Sequence, residues 1–290
     1  MSVTLARPLA IFALLTALVV APLRAQDDRP EVFTWENSTE FAFVTASGNA
    51  SSTTLGLKAA LKGEGPVNSF SLELGGIRSS SKFTDRIATG TETDFDITET
   101  TREEKSAENY YARTRYDRNL GENNFFVFGG AGWERNTFAG FNDRLSFVAG
   151  VGDAWINDDR TLFKTDIGGT YTIQKDVEPT PGRDEAFGGL RANIEFNRDL
   201  TETTEFATKL VADENLADTE DLRLDWIASI AVSITEGLAL KTSYQMLFDN
   251  QPALLSVPLF DPANNPLDTN VTIPAKKFDN FLTLSLVIKI

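Results

Sequence analysis

The chain contains no histidine and no cysteine. Without imidazole it lacks the usual general base and proton carrier of nucleophilic catalysis. Metal sites built on histidine or thiolate are excluded with it. Without cysteine there is no disulfide to staple an exported fold, and no thiol to carry a lipoprotein's lipid. Basic residues are scarce, 27 lysines and arginines against 42 acids, for a formal charge of −15. That leaves no basic stripe for a nucleic acid. Long apolar runs are missing too. The longest, Leu9 to Ala21, is shorter than the ~20 residues a spanning helix needs.

That run is informative where it stands. In "MSVTLARPLAIFALLTALVVAPLRAQ", Arg7 supplies a positive start, Leu9–Ala21 an apolar middle and Ala25 a small residue before a cut. This reads as a secretory signal peptide over residues 1–25. Loss of Arg7 and Arg24 takes the net charge from −15 to −17. The rest, 26–290, reads as one domain without repeats.

Helical periodicity is scarce after Arg24, and period-two alternation replaces it. "LDWIASIAVSI" puts Leu222, Leu224, Trp226, Ala228, Ile230, Val232 and Ile234 on one face. "LALKTSYQMLF" and "LRANIEFNR" alternate in the same way, with Lys241, Ser243 and Gln245, and with Arg191, Asn193 and Glu195, between the apolar positions. Twelve strands are expected, near 33–46, 52–62, 67–78, 107–118, 124–134, 140–154, 161–174, 186–198, 204–213, 220–234, 238–249 and 276–290. Many are longer than the five or six residues usual in soluble sheets, and close to the nine to eleven needed to cross a bilayer. Connections alternate between tight turns ("KGEGP", "NLGEN", "NDDR", "DLTET", "TEG") and a set that includes Ser79–Ser106, Lys175–Glu185 and Asn250–Ala275. All three long ones fall on the same parity. Strand length, alternation and parity together predict an all-β, antiparallel transmembrane outer-membrane β-barrel of about 12 strands, with 10 or 14 as alternatives. An envelope of the Gram-negative type follows from that.

Three stretches carry a family resemblance: "TEFAFVTASGNASSTTLGL", "ENYYARTRYDRNLGENNFFVFGGAGWERNTFAGFNDRLSFVAGVG" and "KKFDNFLTLSLVIKI". The chain resembles the YdiY-like family of salt-induced outer-membrane proteins, catalogued as domain of unknown function 481. The resemblance implies an outer-membrane barrel and no particular activity. Such barrels commonly end in an aromatic residue read by the barrel-assembly machinery; this chain ends in Ile290, which is therefore the expected assembly signal.

Strand parity assigns a lumen face bearing Lys58, Glu73, Arg113, Arg115, Arg144, Lys164, Asp166, Arg191, Glu195, Lys209, Arg223, Asp225 and Lys241, with Glu36 and Glu40. The structural reading has these charges pairing to fill a narrow interior; the functional one has them lining an ion-selective pore. The first is preferred. Trp35, Trp133, Trp155, Trp226, Tyr171 and Tyr244, with Tyr110, fit aromatic girdles at the two interfaces, or else core anchors. The glycines Gly129–Gly130, Gly150, Gly152, Gly168–Gly169 and Gly188–Gly189 are read as curvature points, with room for a ligand as the alternative. Thr89–Glu104, "TGTETDFDITETTREE", reads as a hydrated acidic loop, or as a divalent-cation bridge to lipopolysaccharide phosphates.

The expected partners are outer-membrane lipids, lipopolysaccharide and the barrel-assembly machinery, with no cofactor. Three functions follow: a non-enzymatic envelope barrel with a largely filled, charged lumen, possible in a salt or stress setting; a small solute or ion channel; or a secreted soluble β-protein that binds a partner.

Overall fold

The computed structural model describes residues 32–46, 50–91, 94–121, 124–137, 139–179, 184–252, 254–262 and 265–289. The signal segment 1–25 and Ile290 lie outside the described residues. The elements are β1 (Thr34–Ala46), β2 (Ala50–Glu64), β3 (Asn68–Thr91), β4 (Asp94–Asn119), β5 (Phe125–Asn136), β6 (Phe141–Asp158), β7 (Thr161–Asp176), β8 (Ala186–Asp199), β9 (Thr204–Asn215), β10 (Leu222–Thr235), β11 (Leu238–Asp249), β12 (Leu254–Phe260), β13 (Pro266–Pro274) and β14 (Phe278–Lys289). Twelve of them, all but β12 and β13, close into one antiparallel barrel. Each barrel strand corresponds to one of the twelve alternating segments of the sequence.

Alternation sets the two faces, because successive side chains on a strand point to opposite sides of the sheet. On β14 the even positions face out: Leu282 is 78% exposed, Leu284 60%, while Ser285 and Val287 are buried on the inside. Phe41, Phe43, Leu55, Leu57, Ile167, Ile230 and Val232 are likewise exposed. A contiguous apolar exterior of this extent is foreign to a water-soluble monomer. Charges such as Glu40, Lys58, Asp166 and Lys241 face in.

Closure is made by β1 and β14, which pair from Ser38↔Lys289 to Phe41↔Leu286. This seam is short beside its neighbours. β1 pairs with β2 from Thr34 to Ala46, and β11 pairs with β14 from Leu238 to Phe248.

Two connections expected as loops contain strand instead. Ser79–Ser106 is a continuation of β3 and β4, paired as far as Thr91↔Asp94. β2 leaves off at Ala50↔Phe83, so Thr84–Thr91 with its partner Asp94–Thr101 stands beyond the wall by about 25 Å at ~3.3 Å per residue. The acid-and-threonine composition argued for a solvated loop, but β-branched threonine also favours strand. Asn250–Ala275 contains the separate hairpin β12–β13. Both lie at the end of the barrel that also carries the β7–β8 connection; the tight turns occupy the other end. At that turn end the Asp158 carboxylate accepts the amides of Arg160 (3.0 Å) and Thr161 (2.7 Å), and Gly121 takes a positive φ of 83°.

The mid-strand glycine doublets divide between the faces. Outward Gly169 has open space where a side chain would stand. On inward Gly168, an added Cβ would lie 2.7 Å from the Ala149 carbonyl and 3.2 Å from the Phe128 ring. Gly168→Ala is therefore expected to cost about 1–3 kcal/mol as an overpacked site, and Gly169→Ala to stay within ~0.5 kcal/mol. The difference is measurable from urea midpoints, with heat-modifiable gel migration reporting the folded barrel.

Candidate functional site: the charged interior

The pleat delivers every second residue of each strand to the inside, and the inside has two charged layers and a belt between them. The first layer, toward the turn end, is built on β4 to β8. Arg115 donates from Nε to Asp117 at 2.6 Å and from Nη2 to Asp166 at 2.9 Å. Lys164 donates to the other Asp117 oxygen at 2.8 Å, and the Asn193 amide donates to Asp166 at 2.5 Å. Arg115 on β4 thus reaches Asp166 on β7 over the two intervening strands. Those strands make the reach possible. β5 turns Phe126 and Phe128 inward, both buried, and β6 offers only Gly150 and Gly152 at the matching inward positions. The Arg115 guanidinium lies 3.9 Å from the Phe128 ring centroid and the Lys164 ammonium 4.7 Å from that of Phe126, a favourable cation–π geometry. The rings fill the space above the glycines: an added Cβ on Gly152 would clash with the Phe126 ring.

The belt crosses the middle. Glu40, Lys58, Glu73, Arg113 and Glu134 alternate in sign from β1 to β5, and Glu195, Lys209, Asp225 and Lys241 alternate from β8 to β11. Neighbours bond: Lys58–Glu73 at 3.0 Å, Arg113–Glu134 at 3.8 Å and Lys241–Glu40 at 2.8 Å, the last across β14. Gln245 donates to Asp225 at 2.7 Å. Opposite walls carry opposite charges: Arg113 on β4 and Asp225 on β10, Glu73 on β3 and Lys209 on β9, Lys62 on β2 and Glu195 on β8. In a ring of twelve, each of these strand pairs is diametrically opposed.

The second layer sits toward the long-connection end. Arg191 grips Asp213 with two bonds, 2.7 and 2.9 Å. Arg223 pairs with Asp221 at 3.0 Å, which also accepts from Asn215 at 3.1 Å. Arg144 donates to Gln174 at 2.7 Å and stacks 3.9 Å over Phe141, and Arg223 approaches the same Gln174 oxygen at 3.5 Å. Among the described residues no carboxylate lies within ion-pair distance of Arg144.

Of the charges singled out in the sequence, Arg113, Arg115, Arg144, Arg191, Arg223, Glu73, Asp166, Glu195 and Asp225 all project into the interior, in three tiers. Arg113 and Arg115 point to different partners. Arg144 and Arg191 do not meet. Asp117, Phe126, Phe128, Gln174 and Asn193 were not singled out. Parity would have placed Phe126 and Phe128 inside once Trp133 is set outside, but "FFVF" is apolar on both faces and hides the phase.

The aromatics sort by end. Trp35 and Trp155 face outward toward the turn end, where Trp35 packs on Phe70 with centroids 6.2 Å apart and Trp155 bonds Thr165 at 2.8 Å. Trp133, Tyr171, Trp226 and Tyr244 face outward toward the other end. Trp226 and Tyr244 stack edge to face at 5.9 Å, and the Tyr244 hydroxyl donates to Asn280 at 2.7 Å.

An apolar-surfaced, closed twelve-stranded antiparallel barrel with an ionic interior defines the class. The family model "Protein of unknown function, DUF481" matches residues 39–256, and the chain belongs to that family. Similar solved structures are a NanC porin (9% identity, 89% of this chain and 100% of that one, TM-score 0.45) and an anion-selective porin from Comamonas acidovorans (9%, 89% and 99%, 0.37). A third is an outer membrane channel from Pseudomonas putida F1 (10%, 93% and 100%, 0.40). Likenesses of this size bear on no detail of this chain's chemistry. No curated protein matches the chain.

The Asp166 side chain is only 2% exposed, and removing it leaves Arg115 with Asp117 alone and the Asn193 amide without its acceptor. Asp166→Ala is expected to cost about 1–3 kcal/mol, as for buried donors left unsatisfied. Lys82→Ala, which breaks the exposed Lys82–Glu103 pair, is expected to cost at most ~1 kcal/mol. Urea unfolding of both variants in the same detergent checks the contrast.

Proposed function

We propose that this chain is a non-enzymatic outer-membrane barrel whose charged interior is largely filled, and that it serves the envelope structurally. The observation that carries this reading is the turn-end layer. Arg115, Asp117, Lys164, Asp166 and Asn193 bond across β4 to β8 over two inward phenylalanines. Charges that satisfy one another this thoroughly are poor ligands for passing ions. The alternating belt supports it too, since adjacent opposite charges cancel along the axis and offer no single-sign ring. The apolar exterior and the aromatics toward both ends support a membrane setting and weigh against a secreted soluble form. Export through a cleaved leader, contact with lipopolysaccharide and the assembly machinery, and a tie to salt or stress are further parts of the proposal. The last rests on the family resemblance alone.

One observation favours a small anion-passing channel as the second reading: Arg144, beside Arg223 on a shared Gln174 oxygen, has no carboxylate partner among the described residues.

Planar-bilayer recording separates the two. The wild-type barrel is expected to give no stable conductance steps, and Arg115→Ala/Lys164→Ala to introduce them by emptying the turn-end layer. Wild-type steps that vanish on Arg144→Gln would overturn the filled interior in favour of the channel.

A further inference from the structure

Outside the interior, three cations face outward just beyond the aromatics of the long-connection end. Arg78 on β3 follows Gly76, whose outward partner across the ladder is Tyr110. Arg135 on β5 follows Trp133 by one pleat step and pairs with Tyr110. Lys175 on β7 follows Ile173 and pairs with Asp143 on β6. The strands are alternate members of the sheet, so neighbouring cations stand roughly 10 Å apart.

Two carboxylates stand beside the row: Glu108, across the ladder from Arg78, and Asp143, across from Lys175. Glu108 already accepts from Lys105 at 3.4 Å and from the Tyr110 hydroxyl at 3.3 Å. Asp143 accepts from the Trp133 indole at 3.1 Å. None of Arg78, Arg135 and Lys175 has a carboxylate within ion-pair distance among the described residues.

We propose that Arg78, Arg135 and Lys175 form a binding row for the phosphate groups of anionic lipid headgroups, along the β3–β7 side of the barrel. The inference rests on the membrane reading above and adds a site and a ligand class to it. The geometry is that of an interface. Tryptophan and tyrosine anchor at the edge of the apolar region, and one pleat step further out is the depth of the headgroup phosphates. Unpaired cations on rigid strands meet those phosphates without reorganising, and arginine offers them a fork of donors. The Tyr110 hydroxyl and the Trp133 indole each occupy an oxygen of one of the two acids.

The test uses the folded full chain in phosphatidylcholine vesicles with or without phosphatidic acid, with retained lipid read by native mass spectrometry. The wild type is expected to retain phosphatidic acid over phosphatidylcholine. Lys175→Gln is expected to lower that preference roughly fivefold, and Arg78→Gln/Arg135→Gln/Lys175→Gln by roughly a hundredfold, from the usual contribution of one cation near an anionic surface. Arg118→Gln/Arg198→Gln, outward at the turn end, should leave it unchanged. Equal retention by the triple variant and the wild type overturns the site, as does displacement of the lipid by an equal concentration of inorganic phosphate, which would mark a site for the free anion. Insertion without any preference for phosphatidic acid defeats the row alone; failure of the wild type to enter phosphatidylcholine vesicles defeats the membrane reading with it.

Discussion

Everything in this structure follows from closing a sheet whose apolar face points outward. With leucine, isoleucine and phenylalanine committed to the exterior, the inner face of each strand must accommodate what remains, and what remains is charge. A buried ion is costly unless it is paired and hydrogen-bonded. The interior therefore resolves into networks in which nearly every cation has a near anion. The Arg115–Asp166 contact is the clearest case, since its carboxylate is almost wholly removed from solvent. It exists because β6 presents glycine between the partners, so the glycines that bend the wall also open the path for a long side chain.

The alternation of sign around the belt has a further property. A strictly alternating ring of twelve would set like charges face to face. Here the sequence is interrupted at β6 and β7 on one side and at β14, which offers Ser285, on the other. The interruption shifts the phase, so that Arg113 faces Asp225 and Glu73 faces Lys209. Opposite charges are thus neighbours along the wall and stand on facing strands across it. Arg144, in the long-connection layer, has an amide and a ring as its partners.

Much of this was legible before the structure, for a definite reason. A period-two pattern is a face assignment, so Leu282, Leu284 and Leu286 against Ser285 and Val287 declared both strand and orientation. The inward charges followed by the same parity. Their partners did not, because parity says which side a residue faces and not how far its side chain reaches: nothing in the spacing of Arg115 and Asp166 indicates that they meet. The ribbon of Thr84–Thr91 with Asp94–Thr101 was illegible for another reason. It shows no hydrophobic period, and composition pointed to a loop.

The short seam gives the barrel a preferred place to come apart. Every other junction holds along most of its length, whereas β1 and β14 are joined at one end and separate above Phe41 and Leu286. A closed cylinder has no first strand to peel; a cylinder with a partly unjoined edge does. Fluctuations will concentrate on that line, and β1 and β14 are the pair whose contact completes the wall and whose parting undoes it.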